Sequence, residues 1–163
     1  MKRGFTLMEL LITVAIMGIL STVGVGAFMT SFGKARDAQR KQDLNTLAKA
    51  LEVYASDFEK YPDDDGNGKV LACDPAANGS VLACDWGEAF VLLKSGQPVN
   101  YLDKMPNDPI DGVNYYYQLE ADGSFSLYSA MENTQDPYYS VWGINCGALD
   151  CNYKLTPVGP DKL

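Results

Sequence analysis

Hydrophobic residues dominate the first part of the chain in one uninterrupted block. Over residues 5–32 the only charged side chain is Glu9, and a block longer than roughly 18 apolar residues is typical of a membrane-spanning helix. Lys2 and Arg3 stand directly before the block, and cations in that position favour the cytoplasmic side. The pattern predicts that residues 5–32 cross membrane lipid and that the rest of the chain lies outside the cytoplasm.

From residue 33 onwards the pattern is that of an amphipathic helix. Apolar side chains recur at intervals of three and four residues, at Ala35, Ala38, Leu44, Leu47, Ala48, Leu51, Tyr54, Ala55 and Phe58. No proline interrupts residues 5–61, and Pro62 disfavours helix at the residue before it. One helix is therefore predicted over residues 5–61, and the stripe on residues 33–61 needs a partner. We interpret the charged residues between positions 34 and 43 as a solvated face with helical ion pairs; contact between subunits is the alternative.

Residues 62–163 have the patterns of a small head that is rich in strands. Residues 113–119 and 125–131 are β-rich and flank Asp122-Gly123, a strong hairpin signal. Further strands are predicted over residues 138–142 and 152–155, and a short helix capped by Asp85 over residues 86–94. The predicted fold class is α+β, a long N-terminal helix packed on a small antiparallel sheet.

Three consecutive tyrosines, at positions 115–117, lie in the first of these predicted strands. Aromatic residues suit a pleated sheet that covers a helix. We interpret them as sheet core and rim, and a carbohydrate-binding platform is the alternative.

The head contains all four cysteines of the chain, Cys73, Cys84, Cys146 and Cys151. An even number outside the cytoplasm predicts two disulfide bonds. A two-residue turn at Asn78-Gly79 would place Cys73 opposite Cys84, so we predict that bond. Pro75 weakens the hairpin, and an irregular closed loop with the same bond is the alternative. Cys146 and Cys151 are close enough in sequence to close a small loop, and two thiols alone lack the ligands of a zinc site.

The segment after the helix has the spacing of a calcium-binding loop. The candidate ligands are Asp63, Asp65, Asn67, the carbonyl of Lys69, and Asp74. Asp74 stands where a glutamate is usual, so we expect weak affinity, and the second helix of such a site is absent from the pattern. The alternative is a solvated turn. The stretch that contains Asp103, Asp108 and Asp111 is a weaker metal candidate, since aspartates there are typical turn residues.

Composition excludes several classes of function. Of the 163 residues, 47% are apolar, which allows one modest globular domain beside the anchor. Residues 61–163 contain fifteen acidic and five basic side chains, which argues against nucleic acid as a partner. The absence of histidine removes the usual general base, so the chain is not expected to be an enzyme. No cofactor is required, and calcium is the one ligand that the sequence suggests.

The amino end carries the run Lys2-Arg3-Gly4-Phe5-Thr6-Leu7-Met8-Glu9-Leu10-Leu11. This run resembles the class III prepilin signal of type IV pilins and type II secretion pseudopilins. The resemblance implies that a prepilin peptidase removes the leader, residues 1–4, by cutting between Gly4 and Phe5, and methylates Phe5. The chain departs from the family at Gly26, where many members carry a proline.

The resemblance also implies how subunits assemble. The carboxylate of Glu9 in one chain would pair with the new amine of Phe5 in a neighbour, which offsets the cost of a charge in hydrocarbon. The alternative is that Glu9 complements the amino end of its own helix.

From these observations we expect a structural subunit of a type IV pilus-like filament, a helical homo-oligomer moved by an inner-membrane assembly platform. A pseudopilin of a type II secretion system and a membrane-anchored adhesin or minor tip pilin are the alternatives. The precursor would sit in the cytoplasmic membrane as a single-pass protein with its head outside the cytoplasm. After assembly it would lie in an extracellular pilus or a periplasmic pseudopilus.

Overall fold

The structure, a computed structural model, describes residues 4–162, and for residues 22–30 it describes the backbone only. The chain divides into two compact units, Met1–Arg36 and Asp37–Leu163. Helix α1 spans Leu7–Phe58, which confirms the long N-terminal helix. It ends three residues earlier than predicted, and Glu59 has a φ of 61°, outside the helical region.

In the first unit the apolar residues whose side chains are described are exposed. Phe5 is 80% exposed and Leu20 67%. Among the described residues, no helix combines the length and apolar character needed to cross a membrane. The side chains of residues 22–30 lie outside the description, so membrane crossing by residues 5–32 stays a prediction.

The described part of the second unit contains three antiparallel sheets. The first has β1 (Asp63–Asp64), β2 (Val70–Cys73) and β3 (Leu82–Ala83). The second is a hairpin of β4 (Phe90–Lys94) and β5 (Gln97–Leu102). The third has β6 (Tyr116–Leu119), β7 (Phe125–Ser129), β8 (Tyr153–Thr156) and β9 (Gly159–Asp161), in that order. The α+β class is confirmed.

The core of the second unit lies where α1 meets the strands. Leu44, Leu47 and Leu51 of α1 are fully buried in one cluster with Phe90 and Leu127. Burying each such side chain stabilises the fold by about 1.5–3 kcal/mol. The helical stripe predicted from residue 44 onwards is thus confirmed.

The tyrosine run lies only partly in the sheet, because β6 begins at Tyr116, later than the predicted start at residue 113, and Tyr115 comes directly before it. Tyr115 and Tyr117 are buried, and the Tyr117 hydroxyl donates a hydrogen bond to the carbonyl of Pro62 at 2.6 Å. Tyr116 is only partly buried. The hairpin around Asp122-Gly123 is also confirmed, since Leu119 of β6 pairs with Phe125 of β7.

The predicted helix over residues 86–94 is wrong. Residues 90–94 form β4, and Lys94 pairs with Gln97 across a two-residue loop. Ser95 and Gly96 both have positive φ, 52° and 78°, which is the conformation of a tight hairpin turn. An apolar run of this length fits a strand as well as a helix, and the turn decides in favour of the strand.

The predicted strand over residues 138–142 is also wrong. The backbone N–H of Tyr138 donates to the Asp136 carboxylate at 3.0 Å, and that of Tyr139 to the Asp136 carbonyl at 3.0 Å. These bonds form a turn, which removes the N–H groups that a strand ladder would use. The next predicted strand is confirmed as β8.

Both predicted disulfide bonds are present, Cys73–Cys84 and Cys146–Cys151. The predicted register of the first hairpin is wrong, because Cys73 pairs with Leu82 and the ladder is irregular beside it. The buried Asp74 accepts the backbone N–H groups of Asn78 and Gly79, at 3.1 and 2.7 Å. The segment is thus the irregular closed loop, with the expected bond.

Candidate functional site

The amino end of α1 is closed by a reciprocal pair of side chains. The Glu9 carboxylate accepts the backbone N–H of Thr6 at 3.0 Å and its hydroxyl at 2.9 Å, while the Glu9 N–H donates to the Thr6 hydroxyl oxygen at 3.3 Å. This is a capping box, which satisfies N–H groups that lack helical partners. Gly4 and Phe5, the predicted processing site, are exposed just before it.

In this single chain the Glu9 side chain therefore caps the amino end of its own helix, as the alternative interpretation of Glu9 states. Pairing of Glu9 with the amine of a neighbour is an intermolecular event and stays a prediction. The Thr6 cap was missed by the sequence reasoning, although threonine followed by glutamate three residues later is its signal.

The second unit contains a buried arginine surrounded by carboxylates. Arg40 is fully buried on α1, and its guanidinium contacts Asp108 at 2.7 and 2.9 Å, Asp37 at 2.8 Å and Glu132 at 3.0 Å. Burial opposes the charged form, but the bonds to Asp108, Glu132 and Asp37 outweigh it and raise the pKa of Arg40 above its ordinary value. Arg40 is therefore a permanent cation inside the head.

Asp37 and Lys41 extend this cluster to the segment between β7 and β8. The Asp37 carboxylate accepts the backbone N–H groups of Glu132 and Asn133, at 2.9 and 2.8 Å. Lys41 donates to Asp136 at 2.5 Å. Burial opposes the charged form of Asp136, but the bond from Lys41 prevails and lowers its pKa. Two side chains one turn apart on α1 thus hold the loop between β7 and β8 in place.

The interpretation of this charged stretch as a solvated face is wrong for Asp37 and Arg40. These two side chains continue the buried stripe of Leu44 and Leu47 at three- and four-residue spacing, whereas Ala35 and Ala38 are exposed. The stripe therefore begins with an ion pair. A buried charge of this kind is stable only with hydrogen-bonded partners, and those partners lie far away in sequence.

The candidate calcium ligands are used within the protein. Asp65 accepts the backbone N–H groups of Asn67 and Lys69, both at 2.8 Å, and Asp63 lies 3.5 Å from the ammonium of Lys60. Over the part of the chain that the structure describes, no group of three or more acidic or cysteine residues could hold a metal ion. Calcium binding by this loop stays a prediction.

Two of the three aspartates in the weaker metal candidate are likewise engaged. Asp108 pairs with Arg40 and accepts the N–H of Ile110 at 2.9 Å. Asp103 accepts a hydrogen bond from the side chain of Asn100.

The comparisons with known proteins agree with this architecture. Residues 1–25 match the prokaryotic N-terminal methylation motif, and residues 27–137 match type II secretion system (T2SS), protein G. The chain is 29% identical over 135 residues to type II secretion system core protein G of Klebsiella michiganensis, covering 83% of this chain and 84% of that protein. It is 30% identical over 128 residues to the protein of the same name from Pseudomonas aeruginosa, covering 78% and 82%.

The type IV major pilin protein PilA of Myxococcus xanthus is 36% identical, but over 62 residues, which are 38% of this chain and 28% of that protein. No solved structure matches the chain significantly.

A methylation motif, a long amino-terminal helix and an antiparallel head together define a pilin-like structural subunit. The match over residues 27–137 identifies one family within this class. The chain belongs to the type II secretion system protein G family, whose members are structural subunits and not enzymes.

Proposed function

We propose that this chain is a pseudopilin of a type II secretion system and polymerises into a periplasmic pseudopilus. The observation that carries the proposal is the match of residues 27–137, which include the second half of α1 and most of the head, to the protein G family. The first expectation, a type IV pilus subunit, becomes the second candidate because the similarity to the Myxococcus xanthus pilin covers 38% of the chain.

The amino end supplies the processing and assembly steps of this proposal. The methylation motif over residues 1–25 supports cleavage after Gly4 by a prepilin peptidase and methylation of Phe5. Before assembly the precursor is anchored in the inner membrane, with its head in the periplasm. The exposed apolar side chains of residues 5–21 then leave lipid to pack against the same segment of neighbouring subunits.

The second unit gives each subunit a fixed head. The buried Arg40 cluster holds the loop between β7 and β8 in place. The two disulfide bonds constrain the segments from Cys73 to Cys84 and from Cys146 to Cys151. Fixed geometry suits a helical polymer, because every copy must present the same surfaces to its neighbours. An inner-membrane platform would add the subunits.

Deletion of the gene in its own bacterium separates the two candidates. We expect type II substrates to accumulate in the periplasm while surface pili persist, and a plasmid-borne copy to restore secretion. A plasmid copy with Gly4→Glu, which blocks the cleavage site, is the matched control and should not restore it. Normal secretion together with loss of surface fibres would overturn the proposal in favour of a pilus.

A further inference from the structure

A polar groove of about 590 Å³ opens on the surface of the second unit. Its lining includes Lys69, Asp85, Trp86, Asn114, Tyr116 and Asn145. The volume falls within the range of about 300–1,000 Å³ that small-molecule sites occupy. The groove plays no part in the function proposed above.

The walls of the groove are fixed by backbone contacts. A Cβ atom on Gly68 would overlap the ring of Tyr116, so the turn before β2 packs directly on that ring. The backbone N–H of Asn114 donates to the carbonyl of Cys146 at 2.9 Å, and Cys146 is held by its disulfide bond to Cys151. The groove is therefore formed before any ligand arrives, which lowers the entropic cost of binding.

The groove presents exposed side-chain amides beside aromatic rings. Asn114 and Asn145 are exposed, and among the described residues no hydrogen bond engages either side-chain amide. Each amide offers two donors and one carbonyl acceptor. Trp86 is half-buried, with its ring edge-on to Tyr115 at 5.8 Å between centroids. Amides next to a partly exposed indole match a ligand that has hydroxyl groups along its rim and apolar C–H groups on its face.

The electrostatics of the groove favour a neutral ligand. Its two charged side chains, Lys69 and Asp85, form an ion pair at 2.5 Å, so they leave no net charge for an anion or a cation. The protein as a whole has a formal charge of −8, which disfavours acidic ligands further.

The neighbouring strand edge is closed to an added peptide strand. The N–H of Tyr117 in β6 donates to the carbonyl of Gly68 at 2.8 Å, and that of Leu119 donates to the Asp64 carboxylate at 2.9 Å. A peptide that binds by strand addition needs free groups of this kind. The edge of β6 beside the groove does not offer them.

We propose that this groove binds a neutral oligosaccharide. A sugar ring lies against Trp86, and its hydroxyl or acetamido groups pair with the side-chain amides of Asn114 and Asn145. The subunit would thereby contact glycan through its head.

The test uses the full chain, purified in a detergent without a sugar head group. The probes are cellotriose, maltotriose and N-acetylated chitotriose. Their binding is measured by ligand-observed NMR and by tryptophan fluorescence. We expect at least one probe to bind, and Asn114→Ala and Asn145→Ala each to weaken that binding by about tenfold, since each removes about one or two hydrogen bonds. Both side chains are exposed, so neither substitution should impair folding. Asn78→Ala, an exposed amide outside the groove, is the matched control and should leave binding unchanged.

Trp86→Phe supplies an independent readout, because it should abolish the ligand-dependent fluorescence change while Trp142 still reports the folded state. The proposal is overturned if none of the three probes binds to the unmodified chain. It is also overturned if Asn78→Ala weakens binding as much as Asn114→Ala, or if an unstructured peptide binds in the groove and the sugars do not.

Discussion

Arg40 and Asp108, 68 positions apart, form a two-point ion pair in which Nε lies 2.7 Å from Oδ2 and Nη2 lies 2.9 Å from Oδ1. Both side chains are fully buried. A buried pair of this kind adds little stability over an apolar pair of the same shape, but removal of one partner leaves a buried charge uncompensated. The main effect of the pair is therefore to hold the Arg40 region of α1 in one alignment with Asp108. Its net contribution to the free energy of unfolding is small.

The first prediction concerns removal of this cation. Arg40→Met should lower the free energy of unfolding by about 3–5 kcal/mol, because Asp108 and Asp37 then remain buried without a counter-charge. Urea unfolding of the full chain in detergent measures the change. Lys49→Met, at an exposed position of α1, is the control and should stay within about 0.5 kcal/mol. Equal effects of the two substitutions would show that the Arg40 cluster has no special role.

The second prediction concerns the Cys73–Cys84 bond, which links positions 11 apart, and the Cys146–Cys151 bond, which links positions 5 apart. Replacing the first pair by serines should cost about 3 kcal/mol, because the longer loop regains more entropy in the unfolded chain. The second pair should cost about 2 kcal/mol on the same basis. Thermal unfolding with and without reductant checks both values. Unchanged stability of the Cys73/Cys84 variant would contradict the assignment of this bond as a constraint.

The third prediction concerns alkaline pH. Burial, followed by the charge of Asp136, raises the pKa of Tyr153 to about 12, and burial likewise raises the pKa of Tyr115 and Tyr117. As the pH rises above about 10, the unfolded chain releases these phenolic protons first. The contribution of these tyrosines to the free energy of unfolding is therefore fully present below about pH 10. Above that pH the free energy of unfolding should fall by about 1.4 kcal/mol per pH unit for each such tyrosine, until the pKa of that tyrosine in the folded protein is reached.

Urea unfolding between pH 8 and 11.5 measures this slope. Tyr153→Phe should make it shallower, whereas Val158→Ala, at an exposed position with no ionisable side chain, should leave it unchanged. A slope that neither substitution alters would exclude Tyr153 as its source.

Local signals predicted those parts of the fold that short-range chemistry decides. The Asp122-Gly123 hairpin and the Leu44 stripe follow from turn preference and helical spacing, and both are present. The β4–β5 hairpin was missed because Ser95-Gly96 also resembles the end of a helix, and only the pairing of Lys94 with Gln97 distinguishes the two. A short apolar run does not define its own secondary structure.

The incorrect prediction for Arg40 has a different cause, which is ion pairing between residues far apart in the sequence. Nothing near Arg40 in the sequence indicates Asp108 or Glu132, which lie 68 and 92 positions away. Charged residues on a helix are usually solvated, so the burial of Arg40 follows only from the tertiary fold. The Thr6 and Glu9 cap, in contrast, was present in the sequence as a local motif and could have been recognised.

The fourth prediction concerns calcium. The Asp65 and Asp74 carboxylates would have to exchange backbone N–H partners for the ion, so we expect a dissociation constant of about 10⁻⁴ to 10⁻³ M. Calorimetry of the full chain measures the heat. Asn67→Ala should reduce it without removing a carboxylate that holds the turn, and Asn78→Ala is the control outside the candidate ligand set. Absence of heat at millimolar calcium would end the loop hypothesis.

The last prediction separates the two roles of Glu9. Glu9→Gln keeps an oxygen that can accept from Thr6, so the capping box remains, but it removes the charge that would pair with the Phe5 amine of a neighbour. Thr6→Ala does the opposite, because it removes the hydroxyl partner of the cap and keeps the charge. If subunits dock through charge, Glu9→Gln should reduce the sedimentable pseudopilus by about tenfold or more, the effect of losing a charge-assisted bond of about 1.5–3 kcal/mol.

Thr6→Ala should then assemble nearly as well as the unmodified chain, since a lost cap costs about 1 kcal/mol within a helix of 52 residues. Mass spectrometry must show Phe5 as the methylated first residue in both variants, so that a difference in polymer reflects docking and not processing. The reverse outcome, normal assembly of Glu9→Gln and poor assembly of Thr6→Ala, would mean that Glu9 acts on its own helix alone. The contact seen between Thr6 and Glu9 in the single chain would then be the functional one.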